Sequence, residues 1–254
     1  MGVIEAIKKG FVLSGKLMNV VLVFFVFNAI VGLISLPMAN PANTGKPGAI
    51  AISIVSSVIF FLIFIFLQGG ALGLVRDQIK SSTSSMANFA GYGKKYYLRI
   101  LGLLFFYILL AIAVVLLLSL ASAGILLLGD NVVTRSLVAT IVTIVAIILI
   151  TLLLYPIYAI IVDDTGVVAS FKKGVGLAIS NFWKTLGLFI TMLLLSLVIS
   201  LLIGFLAGLA TVPIPVNIGQ IVIAIVNALV QSYIPIVMMV GFMCFYMSLE
   251  QKVS

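Results

Sequence analysis

The chain has no histidine and a single cysteine, Cys244. Without imidazole and with one thiol, neither a Cys/His zinc set nor a Ser/His or Cys/His catalytic pairing can be assembled. An intrachain disulfide framework is excluded too, since it takes two thiols. Charge is scarce: 8% of the 254 residues are Asp, Glu, Lys or Arg, against about 25% in an average soluble domain. No glycine-rich phosphate loop of Walker or dinucleotide type occurs. No cofactor or metal is therefore expected, and no enzyme activity.

Apolar residues are abundant instead, at 64% of the chain. Spanning a hydrocarbon core takes about 20 of them in a helix, and six runs reach that length: Leu17 to Pro37, Ala49 to Val75, Leu98 to Leu128, Ser136 to Val162, Thr185 to Thr211, and Ile218 to Leu249. The first has a long amphipathic leader and no clean small-x-small cleavage site, so it is expected to be retained as a span. What lies outside the runs is too short for a folded soluble domain.

Twelve of the fourteen basic residues fall into alternate gaps between these runs. Lys8, Lys9 and Lys16 precede the first; Arg76, Lys80, Lys94 and Lys95 lie between the second and third, with Arg99 at the entry of the third; Lys172, Lys173 and Lys184 between the fourth and fifth; Lys252 after the sixth. Only Lys46 and Arg135 fall in the other gaps. Short loops rich in Lys and Arg stay cytoplasmic on insertion, so both termini are expected in the cytosol of a multi-pass cell-membrane protein. The net charge of +8 is thus a property of helix ends beside anionic headgroups rather than a nucleic-acid surface.

A unit of amphipathic stretch, outgoing span, short loop and returning span recurs about three times, over residues 1–80, 81–164 and 165–254 of a single transmembrane domain. Ile4 to Gly10 and Val168 to Gly174 both end in Lys-Lys-Gly; Met86, Phe89, Lys94 and Lys95 mark a looser middle stretch. The expected fold is an all-α polytopic bundle of six transmembrane helices, arranged as three helical hairpins with inner-leaflet amphipathic helices before spans one, three and five.

In the stretch before span five, Val168, Phe171, Val175, Ala178 and Phe182 share one helical face, while Lys172, Gly176, Ser180 and Lys184 share another. Such a helix suits the headgroup plane, with Trp183 and the lysines at interface depth. Lys94, Lys95, Lys172, Lys173, Trp183 and Lys184 are the candidate lipid headgroup contacts. The sole carboxylate pair, Asp163 and Asp164, stands just before this stretch and is expected to cap it.

No charge lies deep inside any run, which counts against an ion-coupled pump. Uncharged polar groups do occur beside helix breakers in the returning spans: Gln68 by Gly69 and Gly70, Tyr155 by Pro156, and Asn227, Gln231, Ser232 and Tyr233 before Pro235. Breaks at matching depth would free backbone groups around a central polar cleft, with Gln68, Tyr155, Asn227, Gln231 and Tyr233 as its candidate residues. Plain helix packing explains the same residues. Gly69 with Gly73, and Gly204 with Gly208, fit close helix contacts.

The segment from Tyr155-Pro156 through Asp163-Asp164-Thr165-Gly166, then Phe171, Gly174 and Asn181-Phe182-Trp183-Lys184, resembles a pattern in uncharacterised prokaryotic six-span membrane proteins. It is also similar to the membrane domain that precedes some bacterial glycerophosphodiester phosphodiesterases. With no soluble phosphodiesterase domain in this chain, the resemblance implies an anchoring module and carries over no catalytic residue. The expected function is a non-enzymatic membrane protein that organises lipid, or binds a membrane partner or a second copy, through a basic cytoplasmic face. The alternative is a transporter or channel subunit for a small neutral or lipidic solute.

Overall fold

A computed structural model describes residues 1–35, 46–127 and 129–251. Pro37 and Leu128, the expected ends of the first and third runs, lie outside the described residues, as does Lys252. The described helices are α1 (Val3–Gly15), α2 (Met18–Ser35), α3 (Pro47–Ser81), α4 (Phe89–Leu126), α5 (Val132–Leu152), α6 (Pro156–Val162), α7 (Val167–Ser180), α8 (Phe182–Thr211) and α9 (Val216–Glu250). Six segments are long and apolar enough to cross a membrane: Met18–Ser35, Ile50–Ser81, Met86–Leu126, Val132–Val162, Phe182–Thr211 and Ile218–Glu250. Continuous aliphatic runs take this form because in hydrocarbon each peptide group must find its partner within its own helix.

Local chemistry sets several ends. Pro47 occupies the first turn of α3, where its missing N–H costs nothing. Asn131 caps α5 by accepting from the N–H groups of Val133 and Thr134, and Thr134 Oγ1 accepts from the Asn131 N–H in return. Ser82, at φ 57°, turns the chain out of α3.

Two expectations change. The middle stretch is not a separate amphipathic helix: after a 3-10 turn at Met86–Asn88 it forms the first turns of α4. And only one of the three returning spans is interrupted. Span four breaks between Leu152 and Pro156, whereas α3 runs unbroken through Gly69 and Gly70, and α9 through Pro235. Glycine weakens a helix without removing a hydrogen bond, and one proline inside a long helix is tolerated in apolar surroundings.

The chain forms two compact units, one of residues 1–97 with 187–254, the other of 98–186. In the first, α1 and α2 both pack along α9. Phe27 meets Phe60 and Phe24 meets Phe64 edge-on between α2 and α3, each with ring centroids 6.1 Å apart. In the second, α7 packs on α6 and on α5.

Burial is concentrated toward the C-terminal ends of the returning spans. On α3 it covers Ile65, Leu67 and Ala71 to Val75, while Ile50 to Phe64 carry exposed aliphatic and aromatic side chains; on α9 Ile236 to Tyr246 are mostly buried and Ile218 to Leu229 mostly exposed. Short α6 is buried at Pro156 and from Tyr158 to Ile161. Large exposed apolar area on the remaining turns is what a lipid-facing surface requires.

Candidate functional site

Each short helix meets a returning span through small residues. On α1 the buried stripe is Ala6, Gly10 and Ser14; a Cβ at Gly10 would stand 2.8 Å from the Val237 carbonyl oxygen of α9. On α7 the buried residues are Ser170, Gly174, Leu177 and Ala178, and a Cβ at Gly174 would collide with the backbone of Pro156. The start of α4 does the same: a Cβ at Gly69 would stand 3.3 Å from the Gly93 carbonyl oxygen, and one at Gly73 would enter the Tyr92 ring. Gly69 and Gly73 therefore provide the close approach their spacing suggested. Gly204 and Gly208 do not, with no described atom within 4 Å of a Cβ at either.

On α7 this packing engages a different set of residues from the large apolar ones. Small and mid-sized residues are buried against the protein, while Val168 is exposed and Phe171 and Val175 are half-buried. Gly174 permits backbone contact that a larger apolar residue would prevent.

The acidic pair does not cap α7. Its N-cap is Gly166, with no side-chain cap bond. Asp163 instead ends α6 and reaches Lys173 Nζ at 2.7 Å. Asp164 takes a left-handed backbone, φ 55°, and accepts from Arg99 Nη1 at 2.6 Å on its carboxylate and 3.1 Å on its carbonyl. Charge-assisted bonds of this length are stronger than a neutral cap bond, and they tie α6, α7 and α4 at one elbow.

A second polar cluster was not foreseen. Arg76 on α3 donates to Asp77 Oδ1 at 2.8 Å and to the Tyr96 hydroxyl of α4 at 2.7 Å, while the Tyr92 hydroxyl donates to Asp77 Oδ2. The guanidinium also stands 5.1 Å from the Tyr92 ring centroid. The signal was present: adjacent opposite charges at the end of one helix, and tyrosines four apart at the start of the next. Nearby, Ser84 Oγ donates to Gln78 Oε1, leaving the buried Gln78 Nε2 without a partner among the described residues.

The expected cleft residues lie in different surroundings. Tyr155 is fully buried, its hydroxyl 3.0 Å from Thr185 Oγ1, beside the interruption whose Leu153 carbonyl accepts from Tyr107 at 2.8 Å. Tyr233 is half-buried and accepts from Ser14 Oγ at 3.4 Å. Next to it Asn28 Nδ2 donates to Ser232 Oγ at 3.0 Å, a link between α2 and α9 that the sequence did not disclose. Gln68 is half-buried, whereas Asn227 and Gln231 are exposed.

Of the expected headgroup contacts, Lys94, Lys95, Lys172, Lys173, Trp183 and Lys184 are all exposed, Trp183 at 79%. Lys95 Nζ lies 5.2 Å from the Tyr96 ring centroid. Lys173 is held by Asp163. On α1, Lys9 pairs with Glu5 at 3.4 Å.

Helical architecture, six apolar segments of membrane-crossing length and polar clusters at helix ends define a multi-pass membrane protein. The chain belongs to the family described as Domain of unknown function (DUF7847), which matches residues 1–249. Comparison with curated proteins and with solved structures gives no match.

Proposed function

We propose that the protein is a non-enzymatic multi-pass protein of the cell membrane that organises anionic lipid, or holds a membrane-protein partner, through a basic cytoplasmic face. One observation carries this reading. Acidic side chains engage Lys9, Arg76, Arg99 and Lys173, while Lys8, Lys16, Lys94, Lys172 and Lys184 have no acidic partner among the described residues. All five are assigned to one side of the membrane by the loop asymmetry. Surplus positive charge on that side attracts anionic headgroups by about 1 kcal/mol per residue.

The threefold organisation fits the same reading. Gly10, Gly93 and Gly174 are each buried against a returning span, in stretches that also carry the lysines. Each hairpin would then present its own basic wedge at the cytosolic headgroups. The resemblance to the membrane domain of some glycerophosphodiester phosphodiesterases points toward an anchoring module as well.

The transport alternative has less support. Asn227 and Gln231 are exposed, and Tyr155 is committed to Thr185. Lipid analysis of the protein purified in mild detergent tests the leading reading. Anionic phospholipid enriched over the host membrane is expected; a lipid profile identical to the bulk membrane would overturn it.

A further inference from the structure

The Lys-Lys-Gly motifs of α1 and α7 divide their two lysines in the same way. Gly10 and Gly174 are buried against the protein. At helical spacing, the residue one before each glycine lies to the side, and the residue two before lies roughly opposite the buried stripe. The lateral lysines are the paired ones, Lys9 with Glu5 and Lys173 with Asp163. The opposite ones, Lys8 and Lys172, are exposed and have no acidic partner among the described residues.

What flanks these outward lysines is unusual for a water-facing surface. Around Lys8 stand Ile4, 71% exposed, and Val12, 66% exposed; around Lys172 stand Val168 at 63% and Ile179 at 61%. On both helices one lysine is bracketed by large aliphatic side chains. A helix facing only water gains nothing from such a stripe. A helix at headgroup depth buries the aliphatic groups at the acyl boundary, and the lysine stem runs along them to bring its ammonium to the phosphates.

We infer that Lys8 and Lys172 each bind the phosphate of an anionic phospholipid headgroup, whereas Lys9 is taken up by Glu5 within α1 and Lys173 ties α7 to the end of α6. This rests on the lipid-organising function proposed above and names the residues that perform it. Glu5, the acid nearest Lys8 in sequence, is occupied by Lys9 and so withdraws little attraction from the headgroup. Lys173 cannot substitute for Lys172 without giving up Asp163.

The test uses the full chain in nanodiscs made from equal parts phosphatidylcholine and phosphatidylglycerol. Two double variants are compared, K8Q with K172Q and K9Q with K173Q. Phosphatidylglycerol retained on partial delipidation is measured by native mass spectrometry, and thermal stability in parallel. The first variant should lose phosphatidylglycerol preference by about fivefold at each site and keep its melting temperature. The second should keep the preference and melt earlier. Equal losses in both variants would overturn the residue assignment while leaving a basic lipid-binding face intact. No loss in either would overturn both the assignment and the function it rests on. A changed oligomer mass with unchanged lipid in the first variant would mean that the stripe binds a second copy, and would also overturn the assignment. If the second variant fails to fold, K8Q with K172Q against the unmodified chain still decides the question.

Discussion

Lys173 Nζ on α7 lies 2.7 Å from Asp163 Oδ2 at the end of α6, so the elbow between a buried half-helix and a surface helix is closed by an ion pair. Asp163 is the less exposed partner. Replacing it by Asn removes this charge pairing and should destabilise the protein by about 1 kcal/mol. Lys173→Gln should cost a similar amount, and the double variant less than the sum, because each single change already removes the pair. Thermal unfolding of the three variants in detergent checks this; strict additivity would show that the two side chains act independently.

Two glycines of α7, two residues apart, should respond oppositely to alanine. At Gly174 a methyl group meets the backbone of Pro156, which has no flexible end to yield. Overpacking of this kind costs about 1–3 kcal/mol. At Gly176 no described atom lies within 4 Å of the new Cβ, and alanine should stabilise the helix by about 0.5–1 kcal/mol. Melting temperatures of the two variants should fall on opposite sides of the parent.

Asp130, just before the Val132–Val162 segment, forms a two-point pair with Arg135 in the first turn of α5, at 2.6 and 2.8 Å. Hydrogen bonding from the guanidinium holds the Asp130 carboxyl below its ordinary value. Since the native carboxyl is the stronger acid, its contribution to stability is present above the ordinary carboxylate range and is lost as pH falls through the depressed native value. Carbon-detected NMR titration should show Asp130 ionised at lower pH than a free aspartate. In Arg135→Gln its midpoint should move upward.

Trp183, the sole tryptophan, gives a site-specific optical signal. It is exposed at the start of α8 beside Lys184 and packs edge-on to Phe182, centroids 5.5 Å apart. An indole at interface depth should be quenched more strongly by phospholipid brominated near the headgroup than by phospholipid brominated near the chain ends. No quenching by either lipid, with emission at the wavelength of free indole in water, would place it in solvent.

Much of the layout was legible. Apolar runs long enough to span a bilayer have one structural solution, and all six appear as helices. Gly69 and Gly73 were readable as a close-contact site: Gly69 receives the Gly93 backbone, and Gly73 the Tyr92 ring. The acidic pair was misread as a cap because its partners, Arg99 and Lys173, are distant in sequence for one residue and on another helix for the other. The pairing of Asn28 with Ser232, 204 positions apart, gave no sequence signal. Matched helix breaks were also over-read: Pro156 interrupts its span and Pro235 does not. The missing N–H is identical in both. At Pro156 the break is supported by Tyr107, which donates to the Leu153 carbonyl, and by Gly174, which lets α7 approach the proline backbone.

By itself the sequence determined the number of membrane-length segments and their approximate ends, because hydrophobic length acts locally along the chain. Tertiary structure alone decided which lysines are spent on carboxylates and which stand clear. That depends on the turn of α1 and α7 about their own axes, which is set where Gly10 meets Val237 and Gly174 meets Pro156. Close backbone contact is a property of two segments at once, and neither sequence stretch contains it.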